Sequence, residues 1–244
     1  MKLRSQFAAV AALTLSWASP SLATTITLTS APYTPNSLFG GISVLNAIAP
    51  NPASFGGEAG RFAASGFQAG SPAIPFNAFT YCVDVFKSVF TFTNYDIAPL
   101  SAIGASADRQ SRLAGLLINS AGLFGAATTD NERRLIAAAT QVSVWELVYE
   151  TANAPLTVSS GNFSVFGDFT PTVSARANAY LANNWTASAG LVSSLISVTG
   201  QSQNQIYLNA PAVPEPATWL SMLFGFGVVG SAFRRANLRK VAIA

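Results

Sequence analysis

The 244-residue chain has no histidine, a single cysteine, and charge on only 9% of its residues. Without histidine there is no Ser-His-Asp triad, no Cys-His pair and none of the common zinc sets. One cysteine excludes an intrachain disulfide, so Cys82 is a buried inert thiol, an intermolecular partner or a reactive group. A phosphate loop, a dinucleotide fingerprint and an internal repeat are all missing, and the residues call for no metal and no cofactor. The net charge of +3 and the pI of 9.2 come from the two ends. Between Thr24 and Val213, seven basic residues face nine acids, a balance of −2. No basic stripe exists to grip phosphates, which argues against nucleic acid as a partner.

The apolar runs are at the ends. Lys2 and Arg4, the run from Phe7 to Trp17, and Pro20-Ser21-Leu22-Ala23 have the layout of a secretory signal peptide, with a run too short to span a membrane. Cleavage is expected after Ala23, which makes residues 1–23 a leader. At the other end, Val213-Pro214-Glu215-Pro216 leads into an apolar stretch, 217–233, followed by Arg234 and Arg235. A stretch of about 17 residues is at the lower limit for a transmembrane helix, and the arginines would stay on the cytoplasmic side.

Pro-Glu-Pro, an immediate apolar helix and an arginine pair together resemble the PEP-CTERM sorting tail, here 213–244. The resemblance implies an exosortase as processing partner, a membrane cysteine transpeptidase that cuts near Pro214-Glu215-Pro216. It also implies transient inner-membrane anchoring. The destination it implies is the cell surface or extracellular matrix of a Gram-negative bacterium that makes exopolysaccharide.

Residues 24–212 have the length of one extracellular domain. Thr24 to Thr29 alternates Thr with Ile and Leu, a short strand. Ala31 to Pro75 is broken by Pro and Gly, with strand-like pieces near Phe39–Leu45 and Arg61–Phe67. Phe79 to Phe92 reads as the clearest strand, with Tyr81, Val83 and Val85 on one face and Thr80, Cys82 and Asp84 on the other. Asp108 to Ser120 is expected to be a helix ended by Gly122. A second helix covers Thr129 to Glu150, where Thr129 and Glu132 have capping-box spacing. Leu156 to Val173 reads as a strand pair turning at Ser159-Ser160-Gly161, Ala175 to Trp185 as a third helix, and Ile196 to Leu208 as a closing strand or hairpin. The order predicts an α+β fold: a β-sandwich or barrel-like sheet with a group of helices inserted between the strands.

Around the cysteine stands Phe79-Thr80-Tyr81-Cys82-Val83-Asp84, and the second helix contains Ala139-Thr140-Gln141-Val142-Ser143-Val144-Trp145-Glu146. The pairing resembles the Cys-Gln thioester domains of bacterial surface proteins over roughly Phe79 to Trp185. That resemblance implies a bonded pair, Cys82 and Gln141, shielded by Tyr81 and Trp145, with Asp84 or Glu146 assisting proton transfer. A thioester is an acyl donor to a foreign amine or hydroxyl, so such a chain is a single-turnover reagent rather than an enzyme. Lys87, the one lysine between the targeting segments, is a potential internal competitor for the acyl group.

Three functions stay open at this point. One is a covalent adhesin or matrix cross-linker that acylates surface amines or hydroxyls. Another is a non-covalent structural protein of a biofilm matrix, in contact with exopolysaccharide and carrying a free or dimerising Cys82. The third is a secreted hydrolase using Asp84 and Glu146 as a carboxylate pair.

Overall fold

Alternating Thr with Ile and Leu forms the first strand, Thr25–Ser30 (β1), and sends Ile26 and Leu28 into the interior. The computed structural model describes residues 24–44, 53–150, 154–167 and 170–209. The expected leader with Ala23, the motif Val213 to Pro216, the apolar stretch 217–233 and Arg234-Arg235 lie outside the described residues.

The strands that follow are Leu38–Val44 (β2), Ala53–Ala59 (β3), Phe62–Gln68 (β4), Ser71–Cys82 (β5) and Thr93–Pro99 (β6). Two long helices come next, Ala107–Ala126 (α1) and Asp130–Tyr149 (α2). Then come Phe163–Phe166 (β7), the helix Thr170–Ala182 (α3), Val192–Ser197 (β8) and Gln205–Leu208 (β9). Six strands close an antiparallel barrel in the order β1-β4-β5-β9-β8-β6, with β6 returning to β1. The other three form a separate sheet, β3-β2-β7. The fold is therefore α+β, with a barrel and with the helices set between strands in the chain, as the order of elements predicts.

Several local expectations change. The strand expected over Phe79–Phe92 ends at Cys82, and residues 83–92 form an irregular loop instead. The strand also starts earlier, at Ser71, because the turn at Ala69-Gly70 (Gly70 φ 78°) folds β5 back on β4. Pro75 is tolerated there because β9 pairs only with Thr80 to Cys82, so the other edge of β5 is free at Pro75. Helix α1 runs through Gly122 to Ala126. The Arg61 guanidinium lies 3.4 Å from the ring centroid of Phe124 and 3.8 Å from that of Phe79, which ties the last turn of α1 to the barrel. The strand pair expected over 156–173 reduces to β7, and α3 takes over from Thr170. The N-cap half of the expected capping box is present, with the Thr129 hydroxyl accepting from Glu132 N–H at 3.2 Å, while the Glu132 carboxylate pairs with Arg176.

The barrel has a small interior of Ile26, Leu28, Tyr95, Leu195 and Tyr207. The larger core lies outside the barrel, where α2 packs against α1, α3 and the second sheet. Every residue of α2 from Ile136 to Leu147 is buried, so this helix is covered on all sides. Ala137, Ala138 and Ala139 let its neighbours approach. Thr140 and Ser143 donate their hydroxyls to Ile136 O and Ala139 O, each at 2.8 Å. The middle of α2's buried length, at Gln141, meets the end of β5, and the candidate site forms there.

Candidate functional site

In β5 the backbone of Thr80 and Cys82 faces β4, but β4 begins at Phe62, opposite Thr80. Cys82 therefore reaches beyond its neighbouring strand with an N–H and a C=O to satisfy. Gln141 of α2 supplies both partners. Its Oε1 accepts from Cys82 N–H and its Nε2 donates to Cys82 O, each at 2.8 Å. The side-chain amide stands in for a strand and fixes the end of β5 against the central helix.

The thiol meets a different glutamine. Cys82 Sγ–H donates to Gln203 Oε1 at 2.7 Å. With a C=O bond of about 1.23 Å, the Gln203 amide carbon lies no more than about 3.9 Å from the sulfur. Gln203 is in the turn between β8 and β9, which folds over the 83–90 loop. Its N–H donates to Ser88 O at 2.9 Å, Val83 N–H donates to Asn204 O at 2.9 Å, and Phe90 N–H donates to Ser202 Oγ at 2.9 Å. Gln203 Nε2 donates to the main-chain oxygen of Asp84. A third glutamine, Gln205, sits opposite Cys82 in the ladder; its Oε1 accepts from Thr80 and its Nε2 has no partner among the described residues.

Beside the thiol is a recess of about 300 Å³ whose lining includes Cys82, Gln203, Trp145, Lys87, Glu58 and Tyr33. The Trp145 indole N–H is buried and has no hydrogen-bond partner among the described residues. Lys87 Nζ lies 3.2 Å from Asp84 Oδ2, and the Asp84 carboxylate also accepts from Phe86 N–H at 3.0 Å. Burial pushes the Cys82 thiol well above the ordinary thiol range, and the charge of Asp84 adds to the shift. The free thiol is therefore protonated at neutral pH. At 3% exposure it cannot reach a second chain without opening the domain.

Of the residues expected from the sequence, the fold brings Cys82, Gln141 and Trp145 together, with Asp84 one contact away through Gln203 and Lys87. Tyr81 points to the other face of β5, where its buried hydroxyl lies near Thr140 and Ser120. Glu146 is fully buried on another side of α2; its Oε1 accepts from Thr157 N–H at 2.8 Å and its Oε2 has no partner among the described residues. Burial and the nearby Glu150 push its carboxyl up to about 8, against the pull of the Thr157 N–H and Arg109. Tyr81 thus shields helix contacts rather than the thiol, and Glu146 is walled off from any substrate. Sequence reasoning missed Gln203. The one signal it carried was the polar run Gln201-Ser202-Gln203-Asn204-Gln205 directly before an apolar strand.

Residues 212–236 match the family described as the PEP-CTERM protein-sorting motif. The chain accordingly carries the exosortase-type sorting signal of an exported envelope or extracellular protein. No curated protein and no solved structure matches the chain. The matched segment does not extend to Phe79–Trp185, the stretch that carries the thioester-domain resemblance. No helix among the described residues is long and apolar enough to cross a membrane.

Proposed function

We propose that this chain is a covalent surface or matrix protein, delivered by its sorting tail, that carries an internal thioester between Cys82 and Gln203. The observation that carries the reading is the buried contact of Cys82 Sγ with the Gln203 amide at 2.7 Å, beside a recess open to a small acceptor. Sulfur attacks the amide carbon, the C–N bond breaks, and the thiol proton leaves with the amide nitrogen as ammonia. The product acylates an amine or hydroxyl on a foreign surface, or on exopolysaccharide, once per molecule.

Gln141 is the clamp in this scheme rather than the acyl carrier. Both ends of the Gln141 amide are engaged by the Cys82 backbone, whereas the thiol itself contacts Gln203. Losing either Nε2 leaves one buried carbonyl, Cys82 O or Asp84 O, without that donor, at a cost of about 1–3 kcal/mol. The raised affinity of the Cys82 sulfur for a proton makes it a slow leaving group, which favours a long-lived ester. Trp145 supplies cover against water. The sorting tail fits a path through the inner membrane of a Gram-negative cell, with release at the surface after exosortase cleavage.

The test is the intact mass of the full chain, compared with Cys82→Ala, Gln203→Ala and Gln141→Ala. A thioester makes the wild type roughly 17 Da lighter, one ammonia, with no titratable thiol. Methylamine should restore the thiol and leave a methylamide on Gln203 in peptide sequencing. A methylamide on Gln141 would return the pair to the one that the resemblance implies. Full mass with a free thiol in the unfolded chain would sink the covalent mechanism and leave a non-covalent matrix protein with a buried, inert Cys82.

A further inference from the structure

Lys87 is the one lysine between Thr24 and Val213, and it lines the same recess as Cys82 and Gln203. The turn after β5 folds it back so that its ammonium meets the Asp84 carboxylate at 3.2 Å. Before the thioester forms, Asp84 also holds Gln203 through the bond from Gln203 Nε2 to its main-chain oxygen, a bond lost with the departing ammonia. After that step the ion pair with Asp84 is what holds Lys87 in the recess it shares with the acyl group. The Asp84 carboxylate is itself fixed by Phe86 N–H, so the tether has a defined direction. An ammonium has no lone pair and cannot attack an ester, whereas a neutral amine can.

We infer that Asp84 guards the thioester from Lys87, and that releasing this ion pair turns Lys87 into the acyl acceptor of the domain itself. This inference rests on the Cys82–Gln203 thioester proposed above. In the transfer, the neutral Nζ attacks the Gln203 carbonyl carbon and the C–S bond breaks with its electron pair going to Sγ. The proton lost from nitrogen goes to the sulfur. The products are a Lys87–Gln203 isopeptide and a free Cys82 thiol, with no change in total mass. The guard keeps the acyl group for an external acceptor, and the isopeptide is a dead end that locks the loop.

The experiment compares the full chain as wild type, Asp84→Asn, Lys87→Arg and the double variant. Intact mass, thiol titration and methylamine uptake are read for each. The wild type should be roughly 17 Da light, with a blocked thiol, and take up methylamine. Asp84→Asn should be equally light but have a free thiol, refuse methylamine, and yield a peptide cross-linked between Lys87 and Gln203. The double variant should recover methylamine uptake. Should Asp84→Asn fail to fold, the wild type incubated at pH 10 should convert to the same cross-linked species, and Lys87→Arg should not.

A methylamine-reactive Asp84→Asn protein with a blocked thiol would overturn the guard, and so would one at full mass beside a light wild type. A wild type at full mass with a free thiol signals instead that the thioester itself does not form, which is a separate failure.

Discussion

Replacing Glu146 by Gln should remove most of the pH dependence of this domain's stability between pH 4.5 and 8. Glu146 is fully buried, with one oxygen bonded to Thr157 N–H and the other without a partner among the described residues. Burial carries its carboxyl from 4.5 up to about 8 in the folded chain. In the unfolded chain the proton leaves near the ordinary value. Between those two points the folded state binds more protons than the unfolded state, so stability falls as pH rises. Below 4.5 the group contributes nothing to the slope, and above about 8 the loss is complete.

A tenfold change in proton affinity is worth about 1.4 kcal/mol, which puts the upper bound near 5 kcal/mol. Water entry and relaxation around a newly charged group reduce such penalties, so a loss of about 2–5 kcal/mol is expected. For a domain of this size that corresponds to roughly 4–20 °C in melting temperature. The measurement is thermal melting of the full chain at several pH values, wild type against Glu146→Gln, which keeps the acceptor for Thr157. The two curves should converge at pH 4.5 and separate towards pH 8.5. Parallel curves across that window would refute the assignment of the slope to this carboxyl.

Leu195 has no exposed surface in the barrel interior, so Leu195→Ala should destabilise the chain by about 2–5 kcal/mol. Chemical denaturation reads that directly, and a loss below about 1 kcal/mol would mean that the barrel collapses around the gap. Gly161 has φ 109°, and a Cβ there would fall 2.1 Å from Glu150 Oε2, which accepts from Asn162 N–H at 2.8 Å. Gly161→Ala should therefore cost more than about 1 kcal/mol, and a neutral result in the same assay would show that the turn relaxes freely.

What was legible in the sequence is what local chemistry decides. The Thr-Ile-Thr-Leu alternation placed Ile26 and Leu28 inside β1, and the Thr129–Glu132 spacing placed the start of α2. The end of the 79–92 strand was not legible. Val83 and Val85 continue the alternation, but β5 stops where β4 no longer lies beside it and Gln141 takes the ladder's place. Gly122 failed as a stop signal because Arg61, directly before the barrel strand β4, holds Phe124 in the following turn. In both cases a contact distant in sequence overrode the local preference.

The same reasoning explains why the candidate site was half visible. Gln141 could be found because the segment Ala139 to Glu146, with Gln141 one helical turn before Trp145, carries the resemblance to the thioester domains. Gln203 sits among Ser, Asn and Gln in a turn, a composition that normally marks a solvated loop. Its burial depends on the β8–β9 turn lying over the 83–90 loop, a contact 121 residues along the chain from Cys82. Three buried glutamines gather at the end of β5, and the roles divide by which part of Cys82 each one meets. Gln141 spends both ends of its amide on the Cys82 backbone and has no contact with the thiol. The amide pressed against sulfur, Gln203, is the one with a reaction open to it.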